Sequence, residues 1–257
     1  MEYPRIIFMD LEGTLLKKAI HLDNGKVAPS AWTLLAERLG PDALRQEEET
    51  KDRWLKNGYK SYVEWMQDTI RIHKEYGLTP TLFDEVMNSV EEMPGIRETV
   101  SMFREWGAVT AIISGGFKAL ADRIQRSLKI DHALSGCEYF FDPETGLLEH
   151  WNLLPTDYEG KVDFMHLIMK EHGVRELECV FVGDAQNDVW MAKEVGLSIA
   201  FNAHPDLQAV CTYVINQPLG QEDFRAVVDC IDSHVKSIVW RTRKHSNPIT
   251  VRSKHEG

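Results

Sequence analysis

Apolar positions along the chain follow two different periods. Residues 5–9, 108–113, 178–182, 197–201 and 213–215 are short apolar runs bounded by polar clusters, the pattern of buried strands. Between them apolar residues recur at helical spacing. After the first run comes a block that reads as four consecutive helices, over residues 30–39, 42–56, 61–76 and 80–92. Gly40-Pro41, Asn57-Gly58, Gly77 and Pro94-Gly95 stop them, and Thr79 caps the fourth. Further helices are expected over residues 96–106, 117–128, 161–172 and 189–195, with another from about Pro205. Residues 138–141 and 147–151 flank Asp142-Pro143-Glu144-Thr145-Gly146, a turn-rich stretch suited to a hairpin. Strands alternating with helices predict an α/β fold, a Rossmann-like doubly wound parallel sheet, interrupted after its first strand by an all-helical insertion.

Composition narrows the function. The 257 residues are 43% hydrophobic, enough for a sizeable core. A net charge of −11 argues against a nucleic-acid-binding body, which needs a basic face for phosphates. The charge is uneven: residues 233–257 hold Lys236, Arg241, Arg243, Lys244, Arg252 and Lys254 against Glu256 alone. This basic tail is expected to be flexible, and not catalytic. No apolar run approaches the roughly 18 residues of a membrane helix, so no membrane partner is expected. The first residues lack the apolar core and cleavage site of a signal peptide. Cys137, Cys179, Cys211 and Cys230 are widely separated, which suits buried reduced thiols in a cytoplasmic protein. No pattern reports the oligomeric state.

Three polar clusters follow predicted strands: Asp10-Leu11-Glu12-Gly13-Thr14, Ser114-Gly115-Gly116-Phe117, and Gly183-Asp184-Ala185-Gln186-Asn187-Asp188. The carboxyl ends of parallel strands form the ligand crevice, so the clusters should converge there, with Lys161 adding a cation from its helix start. Asp10 and Asp184 would repel each other unless a cation lay between them, and hard carboxylate oxygens suit Mg²⁺. Ser114, Gly115 and Gly116 offer a hydroxyl and backbone N–H groups to an anion. Carboxylates for a metal, with donors and a lysine for an anion, compose a phosphoryl-transfer site acting on a small phosphorylated molecule.

The set resembles the haloacid dehalogenase superfamily, in its phosphoserine-phosphatase-like branch. That branch carries Asp-x-Asp-Gly-Thr, then Ser-Gly-Gly, a lysine, and Gly-Asp-x-x-Asn-Asp. Here stand Asp10-x-Glu12-Gly13-Thr14, Ser114-Gly115-Gly116, Lys161 and Gly183-Asp184-x-x-Asn187-Asp188, in the same order. The resemblance implies that Asp10 is the nucleophile of an aspartyl-phosphate mechanism and Glu12 its general acid/base. It implies Mg²⁺ on Asp10, the Glu12 carbonyl and Asp184, with Asp188 acting through a water. Ser114, Gly115, Lys161 and Asn187 would bind phosphate. The core domain would then comprise residues 1–16 and 94–232, and residues 17–93 would be a helical cap controlling water and leaving group.

Two departures bear on the substrate. Glu12 replaces the usual acid/base aspartate, extending its reach by about one C–C bond, ~1.5 Å. The family's phosphoserine enzymes also carry a Glu nine residues beyond the nucleophile and a cap Arg; here Ala19 and Thr69 stand there, with Arg71 nearby. The cap is instead rich in aromatics: Trp32, Trp54, Tyr59, Tyr62, Trp65 and Tyr76. The expectation is a Mg²⁺-dependent phosphatase for a sugar, nucleoside or aromatic metabolite phosphate. The alternatives are a phosphoserine phosphatase, a phosphotransferase to an alcohol, or an inactive binding module. Glu47-Glu48-Glu49 reads as a solvated helix face, Lys17-Lys18 as a solvated hinge or a steering pair, and His21 as a surface residue.

Overall fold

The computed structural model describes residues 3–18 and 30–245, with side chains as far as residue 237. Its centre is a seven-stranded sheet in the order β4-β3-β2-β1-β5-β6-β7. β1 (Ile6–Met9) lies in the middle, parallel to both β2 (Val109–Phe117) and β5 (Cys179–Gly183). β3 (His132–Phe141), β6 (Leu197–Phe201) and β7 (Tyr213–Ile215) continue the parallel sheet. Only the edge strand β4 (Leu148–Leu153) is antiparallel, closing the expected hairpin. The sequence reading starts β3 at 138, but the strand begins at His132, because its mixed residues carry no clean alternation.

β1 is apolar throughout because both of its faces are covered. Ile6 and Phe8 pack into a core with Met165, Ile168, Met169 and Met191, under α7 (Gly160–His172) and α8 (Val189–Glu194). Ile7 and Met9 face the other way, into the larger core. That core continues without a break into the helices inserted after β1, through Trp32, Leu35, Met66, Ile70, Phe83 and Val86. These helices are α1 (Ala31–Leu39), α2 (Pro41–Leu55), α3 (Tyr62–Glu75) and α4 (Pro80–Ser89). Local chemistry sets their ends. The Ser61 and Thr79 side chains accept from the N–H groups of Glu64 and Leu82, and Pro41 and Pro80 occupy first-turn positions.

α5 (Ile96–Glu105) returns the chain to the sheet, and α6 (Lys118–Leu128) follows β2. β2 runs on to Phe117, so Ser114-Gly115-Gly116 is strand rather than loop. A short α9 (Pro205–Gln208) precedes β7, and α10 (Ala226–His245) follows it. α10 buries Val227, Ile231 and Val235 at four-residue intervals against Phe224 and the sheet. It carries helix well into the segment read as a tail, and residues 246–257, with their expected flexibility, lie outside the described residues. Ala19 and His21 lie outside them too. None of the four cysteines is paired; Cys137 and Cys179 are buried, whereas Cys211 and Cys230 are only half-buried. No described helix is long and apolar enough to cross a membrane.

Candidate active site

The three polar clusters meet at the carboxyl edge of β1, β2 and β5. Asp10 follows β1 directly, and its N–H donates to the Val182 carbonyl of β5 (3.0 Å). Asp184 follows β5, while Asp188 closes a 3-10 turn over Gln186–Asp188. One oxygen from each of Asp10, Asp184 and Asp188 falls within a group no more than 4.8 Å across, and all three residues are buried. Asp188 is fixed by its backbone surroundings, its Oδ2 accepting the Asp184 and Ala185 N–H groups (3.1 Å each). Thr14 donates to Asp184 Oδ1 (3.2 Å). Gly13 has a φ of +93°, and a Cβ there would stand 2.3 Å from Asp184 Oδ2, so backbone conformation and space both require glycine.

Two lysines offset the clustered negative charge. Lys161, fully buried near the start of α7, donates to Asp10 Oδ1 and Asp188 Oδ1 at 2.6 Å each. Burial alone would lower its pKa, but Asp10 and Asp188 outweigh that and hold it above the ordinary lysine value. Lys18 pairs with Asp184 Oδ2, while Lys17 reaches only the exposed Glu91 (2.8 Å), so the two lysines read together as a hinge differ in role. Burial raises the pKa of both Asp10 and Asp184, opposed at Asp10 by Lys161 and at Asp184 by Lys18. Three clustered hard oxygen donors fit a small divalent cation such as Mg²⁺.

Glu12 faces this cluster. Its Oε1 accepts the Ala31 N–H at the start of α1 (2.7 Å). Burial lifts its pKa to about 7, against the lowering effect of Ala31 and Lys18. A carboxyl group poised near neutrality can give up a proton and take it back. Its position also limits β2: a Cβ on Gly116 would stand 2.6 Å from Glu12 Oε2, and one on Gly115 2.5 Å from Asp157 Oδ2. Ser114 is buried and its Oγ accepts the Gly116 N–H (3.1 Å).

Asn187 lines the same cleft as Asp10 and Ser114, its amide donating to Asp157 Oδ1. Asp157 is buried, and burial raises its pKa. It stands in none of the motifs of the sequence, so only the fold brings it to notice. Thr156 is also new and donates to the Ser114 carbonyl (2.7 Å), while Tyr62, one of the cap aromatics, donates to the Gly115 carbonyl (3.0 Å). Both bonds position the glycine pair. A single threonine carries no sequence signal that would have marked Thr156, and the aromatic pattern that marks Tyr62 does not announce its bond to Gly115.

A cavity of about 640 Å³ lies between these residues and the inserted helices. Trp32, Trp54, Tyr62 and Trp65 line it, with Trp54 stacked on Trp65 at 5.1 Å between ring centroids. Trp54 Nε1 donates across the cavity to Tyr158 Oη (2.9 Å). Tyr59 bonds to Asp68, and Tyr76 accepts from Gln46, so these two aromatics serve the helical packing instead. Arg71 pairs with Asp68 and Glu75 on an exposed face and does not line the cavity, whereas Thr69 does. Glu47 departs from the solvated face expected of Glu47-Glu48-Glu49. It is only 4% exposed and lines the cavity, while Glu48 and Glu49 remain outside.

The chain matches the haloacid dehalogenase-like hydrolase family model over residues 4–196. It is 34% identical to the phosphoserine phosphatase SerB2 of Mycobacterium tuberculosis over 143 residues, 55% of this chain and 34% of that protein. A probable phosphoserine phosphatase of Schizosaccharomyces pombe is 24% identical over 214 residues, 83% of this chain and 66% of that one. The chain thus spans from about a third to just under two thirds of these relatives' length. Among solved structures, a phospho-aspartyl intermediate analogue of phosphoserine phosphatase superposes with a TM-score of 0.70 at 20% identity. That match covers 88% of this chain and 98% of the other, a likeness of fold.

Proposed function

The chain belongs to the haloacid dehalogenase-like hydrolase family, in its phosphoserine-phosphatase-like branch, and from that membership we propose that it is a Mg²⁺-dependent phosphatase of a small phosphomonoester. One observation carries the reading: Asp10, Asp184 and Asp188 converge with Lys161 and a near-neutral Glu12 at the floor of a cavity roofed by the inserted helices.

Asp10 is the nucleophile. Its carboxylate oxygen forms a bond to phosphorus as the bond to the leaving oxygen breaks, giving an aspartyl-phosphate. Glu12, protonated in the closed site, hands its proton to the departing alkoxide and becomes a carboxylate. It then takes a proton from water, whose oxygen attacks phosphorus, releasing inorganic phosphate and restoring Asp10. Ser114, Gly115, Lys161 and Asn187 hold the phosphoryl oxygens. Asn187 has two amide N–H donors, one of which Asp157 takes here. Asp10, Asp184 and the Glu12 carbonyl would ligate Mg²⁺, with Asp188 in the outer sphere. Mg²⁺ bound there supplies Lewis-acid neutralisation of the phosphoryl charge. Residues 17–93 act as the cap and residues 94–232 complete the core.

The relatives' names favour phosphoserine over the sugar, nucleoside or aromatic phosphates expected from the cap's composition. The test is phosphate release from O-phosphoserine and p-nitrophenyl phosphate with Mg²⁺ and no acceptor but water. Asp10→Asn is expected to reduce it by about 10³-fold or more. Turnover that survives in Asp10→Asn overturns the mechanism, and p-nitrophenol release that requires an added alcohol and yields no inorganic phosphate makes the protein a transferase.

A further inference from the structure

α2 brings Glu47, Lys51 and Trp54 to the cavity wall at spacings of four and three residues, one face of a helix. Glu47 is the buried member of this row. Its Oε1 accepts the Thr33 hydroxyl of α1 (3.0 Å), but its Oε2 is sealed from water and has no hydrogen-bond partner among the described residues. A buried carboxylate oxygen left without a donor is expensive, and such groups in native proteins call for a reason.

The surrounding donors are spent elsewhere. Thr50 donates to the Glu47 carbonyl (2.8 Å), Trp65 Nε1 to Thr50 (3.0 Å), and Trp54 Nε1 to Tyr158 (2.9 Å). Lys51 attracts Glu47 through space without bonding to Oε2. No described donor reaches Oε2, which leaves it open to a donor on the cavity's occupant, and the terminal torsion of a glutamate is soft enough to turn the carboxyl group toward it. An ammonium meets the need better than a hydroxyl, because it also neutralises the buried charge. The indole faces of Trp54 and Trp65, which line the same cavity, attract cations as well.

We propose that Glu47 is a specificity residue whose carboxylate takes the ammonium of a phosphomonoester with an amine-bearing leaving group. The assignment rests on the phosphatase reading above. It places amine recognition on α2, whereas the positions compared with the family's phosphoserine enzymes are Ala19 and Thr69.

The experiment compares kcat/KM of the full chain with Mg²⁺ on matched pairs that differ in amine against hydroxyl. The pairs are O-phosphoserine with 3-phosphoglycerate, O-phosphoethanolamine with 2-hydroxyethyl phosphate, and glucosamine 6-phosphate with glucose 6-phosphate. Charge-assisted hydrogen bonds are roughly twice as strong as neutral ones, so at least one pair should favour the amine by about tenfold. In Glu47→Gln that ratio should fall to near one, and Glu47→Asp should recover part of it. Because each ratio is internal to one variant, a general loss of activity cancels. A wild-type enzyme with no amine preference in any pair overturns the proposal without a variant being needed. So does an equal preference in wild type and Glu47→Gln. p-Nitrophenyl phosphate, which has no amine, separates the two levels of inference. Its hydrolysis with no amine preference refutes the Glu47 assignment alone, whereas no hydrolysis of any compound refutes the phosphatase reading beneath it.

Discussion

Replacing Lys161 by methionine tests how the site tolerates its own charge. Lys161 is wholly buried and bonds to Asp10 and Asp188 at 2.6 Å, so the substitution keeps most of the volume but removes the shared cation. Breaking a buried pair by deleting one partner typically costs about 3–5 kcal/mol, because the remaining charge is left uncompensated. With a urea slope of roughly 3 kcal/mol per molar, the unfolding midpoint should fall by about 1–1.7 M. The assay is equilibrium urea unfolding of wild type and Lys161→Met in EDTA at pH 7.5 and again at pH 5. Burial already raises the Asp10 pKa, and without Lys161 it rises further. A carboxyl group whose folded pKa is raised gives stability that is full below its ordinary value and lost as pH rises through the folded value. The variant's deficit should therefore be largest at pH 7.5 and shrink at pH 5. A deficit under about 1 kcal/mol at pH 7.5, or one that grows on acidification, would refute the reasoning.

Two further outcomes are expected. With Glu12 raised to about 7, its acid form persists up to neutrality and is lost above it. kcat/KM for alkyl phosphates should thus fall about tenfold per unit above pH 7, and less steeply for p-nitrophenyl phosphate, whose leaving group needs no proton; identical limbs for both substrates would count against Glu12 as the acid. His73 is fully buried against Trp32 and Tyr139, with its pKa lowered to about 3 by burial. A histidine with a lowered folded pKa stabilises fully above its ordinary 6.5 and loses that contribution as pH falls, by about 1.4 kcal/mol per unit. Urea midpoints between pH 7 and pH 5 should accordingly fall less in His73→Asn than in wild type, and equal slopes would remove His73 from the account.

The sequence exposes whatever depends on short local patterns. The doubly apolar β1 marks a central parallel strand, and acidic or Ser-Gly-Gly clusters after strands mark the crevice that then assembles there. Helix ends at Ser61, Thr79 and Pro80 are equally local. What sequence hides is long-range. Asp157, Thr156 and Tyr62 matter because they touch Ser114, Gly115 or Asn187 from distant elements, and no spacing announces that. Glu47 is misjudged for the same reason: among three consecutive glutamates, only packing against α1 and α3 decides which one turns inward. Lys18 resembles its exposed neighbour Lys17 until the fold brings Asp184 beside it.

The Ala31 N–H bond to Glu12 has a consequence for timing. It makes the first residue of the inserted helices part of the solvation shell of the group that carries the proton. Swinging those helices outward would admit water, and because burial outweighs the opposing pull of the Ala31 N–H, Glu12 would move toward the affinity of an ordinary carboxylate, about 4.3. Closing would reverse this and draw a proton from bulk solvent before any bond to phosphorus changes. Proton uptake would then belong to the mechanical half of the cycle, so a weakly buffered indicator dye should register it when substrate docks, ahead of the first product.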